Sequence, residues 1–249
     1  MRYDFQNQSG ETLAGRLEMP DNQKPTAFAL FAHCFTCSKD IIAPTVIAKT
    51  LAEAGIAVLR FDFTGLGNSA GDFANTNFSS NIQDLEAAFN SLKKDYEAPT
   101  LLIGHSLGGA AVLKAATHLS EVKAVATLAA PSSVAHVTNL FENDIPKINE
   151  KGEAEVNLAG RKFTIKKQLI KDLEEVDLLA GIRHFKKALL IMHAPLDNTV
   201  SVDHAAQIFG KAQHPKSFVS LDDADHLLMN RKDAKYAAEI IRSWVGRYI

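Results

Sequence analysis

The sequence predicts an α/β fold with a mostly parallel central sheet, helices on both faces and a small cap insertion. Short apolar runs, typical of buried strands, alternate with amphipathic segments typical of helices. This alternation breaks at about residues 132–187 and then resumes. The length of 249 residues, 46% of them hydrophobic, suits one large α/β domain. We therefore expect a single domain over residues 1–249, with a cap or lid at about 132–187.

Strands and helices alternate regularly in the first half of the chain. An early strand in "ETLAGRLEMP" stops at Pro20, and the apolar run "TAFALFAHCF" predicts a buried strand. The helix in "APTVIAKTLAEAG" ends at Gly55, and the segment "SSNIQDLEAAFNSL" predicts a helix capped by Ser80, with Gln83 three residues later. The other predicted elements here are the strand "IAVLRFDF", the strand "TLLIGHS", the helix "LGGAAVLKAATHL" and the strand "VKAVATLAA".

The predicted cap contains a hairpin and a charged helix. The segment "AEVNLAGRKFTIKK" predicts a hairpin that turns at Ala159 and Gly160, and "KQLIKDLEEVDLL" predicts the helix. The basic stretch "RKFTIKK" at 161–167 alternates with apolar residues, so we interpret it as a solvated strand face rather than a polyanion site. Beyond the cap we expect the strand "KALLIMHAP", the helix "VDHAAQIFGKA", the strand "KSFVSLDD" and the closing helix "RKDAKYAAEIIRSWVGRYI".

Composition argues against several classes of partner. A formal net charge of -2, without a basic arm, argues against nucleic acid. No stretch approaches the roughly 18 apolar residues of a membrane span, and the start of the chain lacks a signal core. With only Cys34 and Cys37, we expect a cytoplasmic protein whose cysteines are reduced. The sequence leaves open whether the chain forms a homodimer.

The segment "GHSLG" at residues 104–108 matches the pattern G-x-S-x-G between a predicted strand and a predicted helix. Such a turn is tight enough to require glycines, and it lifts the serine hydroxyl above the sheet edge beside a helix N-terminus. We interpret Ser106 as a nucleophile. The alternative is a small-residue turn that only permits close packing.

A serine hydroxyl needs a base to take its proton and a carboxylate to orient that base. In this arrangement the acid and then the histidine follow the serine along the chain. Asp197 follows the strand "ALLIMHAP" and His226 follows "KSFVSL", so both lie where open α/β sheets place their sites. Asp197 could instead be a plain turn residue. Asp222, Asp223 and Asp225 are alternative acids that more plausibly shape the histidine loop.

An acyl-transfer site also needs two donors for the oxyanion. We assign them to the backbone N–H groups of Leu107 and of Phe35, which lies in the loop after "TAFALFAHCF"; the alternative is an ordinary loop. Cys34 and Cys37 form a C-x-x-C pattern, for which redox or metal chemistry are the alternatives to packing under this loop. We expect no cofactor and no metal site, since no histidine pair has convincing ligand spacing.

Other polar residues are assigned structural roles. Asp62, in "FDFTGLGNS", is expected to organise a loop rather than act as the acid, and the glycines there do not form a nucleotide-binding motif. His105 should pack behind the nucleophile, and His193 should be structural at its strand end. The remaining histidines are expected at the surface or in packing positions: His118, His136, His184, His204 and His214.

Together these motifs resemble the α/β-hydrolase family over almost the whole chain. A narrower set resembles the bacterial α/β-hydrolase domain that is often fused to an OsmC-like domain: "AHCFTCSKD", "LRFDFTGLGNS", "FANTNFSSN", "LLIGHSLGG", "GEAEVNLAGRKFTIKKQ", "MHAPLDNTV" and "HPKSFVSLDDADHLL". The resemblance implies the α/β-hydrolase fold and a fused or separate OsmC-like partner. Many family members have glycine where this chain has Cys34, whose Cβ could narrow the turn.

Carried over position by position, the resemblance implies Ser106 as nucleophile, Asp197 as acid and His226 as base, with Phe35 and Leu107 as oxyanion donors. The expected function is a serine esterase that works through an acyl-enzyme on small-molecule esters. A short cap with several apolar residues favours short to medium acyl chains. The alternatives are an acyltransferase or perhydrolase with the same triad, a non-catalytic binding module, and a thiol-redox accessory.

Overall fold

The computed structural model describes residues 1–21 and 23–249, and it contains short strands and helices in alternation. The strands are β1 Phe5–Gln6, β2 Thr12–Leu13, β3 Gly15–Glu18, β4 Ala27–Ala32, β5 Ile56–Phe61, β6 Leu101–His105, β7 Ala124–Leu128, β8 Glu153–Leu158, β9 Arg161–Lys166, β10 Ala188–His193 and β11 Lys216–Ser220. The helices are α1 Ile42–Glu53, α2 Phe78–Asp95, α3 Leu107–Ala115, α4 Ile145–Lys151, α5 Lys167–Glu175, α6 Leu178–Ile182, α7 Asp203–Lys211 and α8 Arg231–Val245. Within those described ranges, no helix is both long enough and apolar enough to span a bilayer.

The central sheet has seven strands in the order β11-β10-β7-β6-β4-β5-β3. All neighbouring pairs are parallel except β3 with β5, which run antiparallel at one edge. This mostly parallel sheet with surrounding helices confirms the predicted fold class. Because the parallel strands end at one edge, the loops that follow them are neighbours in space.

Two hydrophobic clusters cover the two faces of the sheet. In β4, Phe28 and Leu30 belong to one cluster, whereas Ala29 and Phe31 belong to the other. Helices α2, α3 and α7 and the cap pack on the first face, and α1 and α8 pack on the second. The strand is apolar without interruption because both of its faces are buried, as predicted from "TAFALFAHCF".

Helix α2 begins earlier than predicted. Its N-cap is Asn77, whose side chain accepts a hydrogen bond from the Ser80 N–H at 2.8 Å, while the Ser80 hydroxyl accepts one from the Asn77 N–H at 3.0 Å. The prediction of Ser80 as N-cap is therefore wrong, since Ser80 is the third residue of the helix and closes a capping box. The earlier start carries the fully buried Phe78 into the core.

The chain between β7 and β10 builds a lobe over the sheet edge. It contains an irregular 3-10 segment at Val134–Asp144, then α4, the antiparallel hairpin β8–β9, α5 and α6. The hairpin turns at Ala159 and Gly160, which have φ values of 51° and 79°, as a tight two-residue turn requires. The position of this lobe at the ends of the parallel strands brings its hairpin to the site described next.

Candidate active site

The structure brings the three predicted residues of the site together at the end of the sheet. Ser106 follows β6, Asp197 follows β10 and His226 follows β11. The Ser106 hydroxyl donates to His226 Nε2 across 3.0 Å, and His226 Nδ1 donates to Asp197 Oδ2 across 2.7 Å. This chain of hydrogen bonds can take a proton from the serine oxygen and hold the resulting imidazolium beside a carboxylate.

The backbone at Ser106 is strained. Its φ of 55° and ψ of -124° lie in a region of backbone torsions that residues other than glycine rarely adopt. The surrounding glycines are required by space, because a Cβ at Gly104 would lie 2.3 Å from the Gly108 carbonyl oxygen, and one at Gly108 would lie 2.4 Å from the carbonyl oxygen of Ala32. The tight turn therefore holds the serine at the corner between strand and helix, as its motif predicts.

Both oxygens of the Asp197 carboxylate accept hydrogen bonds. Oδ1 accepts from the N–H groups of Thr199 and Val200 at 2.8 and 2.9 Å, and Oδ2 accepts from His226. Burial by itself would raise the pKa of Asp197, but these hydrogen bonds and the nearby imidazole outweigh it and lower the pKa below its usual value. The group thus stays ionised and fixes His226 with its proton on Nδ1.

The loop that carries His226 is held by its neighbours. The Asp225 carboxylate accepts from the N–H groups of Leu227 and Met229 at 2.9 and 3.0 Å, which matches the loop-shaping role expected of it. His105 Nε2 lies 2.6 Å from the main-chain carbonyl oxygen of His226. Burial, together with the nearby His226, lowers the pKa of His105 to about 4, so its imidazole is neutral and Nε2–H donates this bond. The sequence indicated only that His105 packs behind Ser106.

Phe35 and Leu107, whose N–H groups are the predicted oxyanion donors, line the same cavity as Ser106. Over residues 1–21 and 23–249, neither the Phe35 N–H nor the Leu107 N–H donates to a protein acceptor. Phe35 lies in a turn closed by a hydrogen bond of 3.1 Å from the Cys37 N–H to the Cys34 carbonyl oxygen. The turn places Thr36 at a φ of 57°, which is unusual for a β-branched residue and is typical of a loop shaped for a function.

Cys34 and Cys37 form a disulfide, so the prediction of reduced cysteines is wrong. The turn around Phe35 brings their Cα atoms to 5.3 Å, which is within the range that a disulfide spans. The sequence showed the C-x-x-C pattern but not the turn that joins its ends. The bond closes the same loop that carries the Phe35 N–H.

A cavity of about 560 Å³ opens beside Ser106. Its walls are largely apolar and include Val137, Leu140 and Leu158 from the cap and Leu227 and Met229 from the loop of the histidine. Among the described residues that line it, none is an aspartate or glutamate. Such a space accommodates an apolar chain next to the serine oxygen.

The first residue of β9 has a contact that the sequence did not indicate. Arg161 is exposed, as expected of a solvated strand face, but it also lines the cavity, and its Nη2 donates to the Thr36 carbonyl oxygen. Its guanidinium lies over the Phe163 ring, 5.2 Å from the centroid. Lys162, the next residue, does point outward and pairs with Glu155 at 2.8 Å. Alternation along a strand explains both positions, because neighbouring side chains face opposite sides.

Several other polar residues hold the loops of the site. Asp62 accepts from the Lys39 ammonium at 2.8 Å and from the Asn68 N–H at 2.9 Å, as expected of a loop organiser. His193 Nε2 and His136 Nε2 donate to the carbonyl oxygens of Val200 and Thr199, at 2.7 and 2.8 Å. No local motif in the sequence indicates this role of His136. In the described ranges, no three histidine, cysteine or acidic side chains converge as a metal site would need.

A sequence profile of the serine aminopeptidase S33 family matches residues 23–180, which is more than half of the chain. The chain belongs to this family of α/β hydrolases. The matched segment contains Ser106 and the cap hairpin and ends before Asp197 and His226. The match agrees with the α/β-hydrolase fold of the central sheet and its helices.

Known proteins of several kinds are similar to this chain. The esterase domain of a Rhodothermus marinus protein is 48% identical, with a TM-score of 0.81 over 100% of this chain and 98% of that structure. Mouse palmitoyl-protein thioesterase ABHD10 is 28% identical over 82% of this chain and 70% of its own length. Rat monoglyceride lipase is 34% identical over 33% of this chain, a match that spans only 29% of the lipase. These similarities to esterase, thioesterase and lipase proteins support hydrolase activity.

Proposed function

We propose that this protein is a serine esterase that cleaves carboxylic esters through an acyl-enzyme. The observation that carries the proposal is the series of hydrogen bonds from Ser106 to His226 to Asp197. Ser106 and His226 line a largely apolar cavity. The similar esterase domain from Rhodothermus marinus adds support. Nothing in the proposed chemistry requires a cofactor.

In the proposed reaction the Ser106 oxygen attacks the ester carbonyl carbon while its proton moves to His226 Nε2. The carbonyl oxygen becomes an oxyanion that the N–H groups of Phe35 and Leu107 bind. The bond to the alcohol then breaks, and the alcohol leaves with the proton from His226. A water oxygen then attacks the acyl carbon while His226 takes a proton from the water. The bond from that carbon to the Ser106 oxygen breaks, His226 returns the proton to Ser106, and the carboxylic acid leaves.

The cavity supports esters over the other substrates that the family name suggests. An aminopeptidase has to bind a free ammonium group, which favours a carboxylate in the site, and none of the described lining residues supplies one. The volume of about 560 Å³ lies within the range of roughly 300–1,000 Å³ for small-molecule sites. We therefore propose small-molecule esters with short to medium acyl chains.

A thioester is the second candidate substrate. It is favoured by one observation, the similarity to the mouse thioesterase over 82% of this chain. The same serine, base and oxyanion donors would cleave either bond, with a thiol as the leaving group. Transfer of the acyl group to peroxide or to an alcohol, and binding without turnover, are the remaining alternatives.

The deciding test is hydrolysis of p-nitrophenyl esters of increasing acyl length by the wild type and by Ser106→Ala. We expect turnover that depends on Ser106 and declines beyond medium chain lengths. Matched thioesters and added alcohol or peroxide separate the alternative reactions. Absence of turnover by folded wild type, together with failure of a serine-directed probe to label it, would support a binding module instead.

Location and partners extend the proposal. We propose a cytoplasmic protein that acts on free small molecules, without nucleic acid or membrane, and that works beside a fused or separate OsmC-like domain. A homodimer is tested by sedimentation of the purified protein. Because disulfides are uncommon in reducing compartments, the thiol state of Cys34 and Cys37 in cells tests the cytoplasmic location.

A further inference from the structure

Among the described residues that line the cavity, Arg161 alone carries a permanent charge, which is positive. Arg161 reaches the cavity wall from β9, and no lining aspartate or glutamate balances its charge. The surrounding walls are mostly apolar, and Ser106 and Phe35 line the same space. Arg161 is itself exposed, so water and salt partly screen its charge, and a ligand is bound through direct hydrogen bonds to the guanidinium.

Arg161 differs in its contacts from the lysines of β9, which bond to side chains of other residues. Lys162 pairs with Glu155 at 2.8 Å, and Lys166 donates to the Asn75 side chain at 2.6 Å. Over residues 1–21 and 23–249, no carboxylate lies within 4.0 Å of Arg161. A guanidinium has five N–H donors, and the contact to Thr36 engages only one of its nitrogens.

The guanidinium is also held in place. Nη2 is anchored on the Thr36 carbonyl oxygen, within the turn that the Cys34–Cys37 disulfide closes. Its Cζ lies over the Phe163 ring, 5.2 Å from the centroid, a cation–π contact that favours a fixed position. A positioned guanidinium with free N–H groups matches the two oxygens of a carboxylate, which it binds in a bidentate manner.

We propose that Arg161 binds an anionic group of the substrate, so that the preferred esters carry a carboxylate away from the bond that is cleaved. The proposal rests on the proposed esterase function and specifies its substrate class. The carboxylate can belong to the acyl part, as in half-esters of dicarboxylic acids, or to the alcohol part. In either case Arg161 selects the substrate, and the chemistry stays with Ser106, His226 and Asp197.

The experiment compares each anionic ester with a neutral isostere. On the acyl side these are p-nitrophenyl half-esters of adipic, pimelic and suberic acids beside the same esters with a terminal carboxamide. On the alcohol side they are p-carboxyphenyl and p-carbamoylphenyl esters. The measured quantity is the ratio of kcat/KM for the carboxylate to that for the carboxamide, in the wild type, Arg161→Gln and Arg161→Lys. Lys162→Gln is the matched control, because it removes a charge from the same hairpin but outside the cavity.

We expect the wild type to favour the carboxylate in one of the two series by about tenfold or more, as charge-assisted hydrogen bonds allow. Arg161→Gln should abolish this preference, Arg161→Lys should keep part of it, and Lys162→Gln should keep all of it. Added salt should weaken the preference. The proposal is overturned if no series shows a preference, or if Arg161→Gln slows both members of a pair equally, which would mean that Arg161 acts only through Thr36.

If the esterase proposal is wrong, the wild type hydrolyses neither the neutral nor the anionic esters. That result differs from turnover of both esters without a preference for the carboxylate. Calorimetric titration with suberate and with its neutral diamide decides the anion site in that case. Binding of suberate that is lost in Arg161→Gln supports the site, and equal binding of the two compounds contradicts it.

Discussion

His105 Nε2 donates a hydrogen bond of 2.6 Å to the main-chain carbonyl oxygen of His226. The residue before the nucleophile therefore holds the backbone of the residue that is positioned as its base. Both ends of this contact lie at the active-site edge of the sheet, since His105 is the last residue of β6 and His226 follows β11. The contact couples the protonation of one buried imidazole to the stability of the site.

The first prediction concerns acid stability. The pKa of His105 is about 4 in the folded protein, against about 6.5 when it is exposed in the unfolded chain. As the pH falls from 7 to 4, the unfolded chain binds a proton that the folded protein does not, so the free energy of unfolding decreases. The expected contribution is about 3 kcal/mol, present above pH 6.5 and progressively lost as the pH falls toward 4.

Urea unfolding of the wild type and of His105→Phe at pH 7 and at pH 4.5 checks this prediction. The variant should be less stable at pH 7, because the His226 carbonyl loses its donor, but it should lose less stability on acidification. His33 and His193, whose pKa values burial also lowers, contribute to both proteins and cancel in the comparison. An equal loss in both proteins would exclude His105 as a source of acid instability.

The second prediction tests the orienting carboxylate. In Asp197→Asn the side-chain oxygen can still accept from the N–H groups of Thr199 and Val200, so we expect a folded protein. The amide no longer favours the tautomer with the proton on His226 Nδ1, and kcat should fall by about 10⁴-fold, as in other triads. Asp223→Asn is the control and should change kcat less than about twofold, because Asp223 is exposed. A comparable loss in the control would reassign the acid.

The third prediction separates two glycines by the space around them. A Cβ at Gly104 would lie 2.3 Å from a backbone oxygen, whereas one at Gly210, in α7, would meet nothing within 4 Å. We expect Gly104→Ala to prevent stable folding, since backbone cannot move away cheaply. Gly210→Ala should raise the free energy of unfolding by about 0.5–1 kcal/mol, because alanine favours a helix. Thermal melts of the two variants provide the measurement, and a folded, active Gly104→Ala would contradict the tight turn.

The fourth prediction concerns the disulfide. Protein denatured without reductant should show no free thiol, and two thiols should appear after reduction. Loss of the bond frees the turn that carries the Phe35 N–H, so reduction should lower ester turnover, and reoxidation should restore it. The double variant Cys34→Ser with Cys37→Ser should be slow in both conditions. Turnover that is the same in the wild type, reduced wild type and double variant would show that the turn keeps its shape without the bond.

The fold and the components of the site could be predicted from local patterns. Apolar runs and amphipathic segments predicted the parallel sheet because strands buried on both faces have no polar positions. Ser106, Asp197 and His226 were nominated because each follows a strand, and parallel strands end at one edge. Their catalytic roles stay predictions until the substitutions above are measured.

Contacts between distant segments could not be predicted in this way. Ser80 has the chemistry of an N-cap, but the helix starts at the buried Phe78 and its N-cap is Asn77. Arg161 and Lys162 are both basic and exposed, but Arg161 lines the cavity and Lys162 does not. Only the docking of the cap on the loop of Phe35 distinguishes them.

The sequence by itself determined the order of strands and helices, the tight turn at Ser106 and the identity of the acid and base candidates. These depend on residue type and on short spacings, which one sequence displays. The tertiary structure decided which side chains meet: the Cys34–Cys37 disulfide, the His105 bond to His226 and the position of Arg161 on the cavity wall. Such contacts depend on backbone torsions and on the packing of segments far apart in the chain, because distance in space there is independent of distance in sequence.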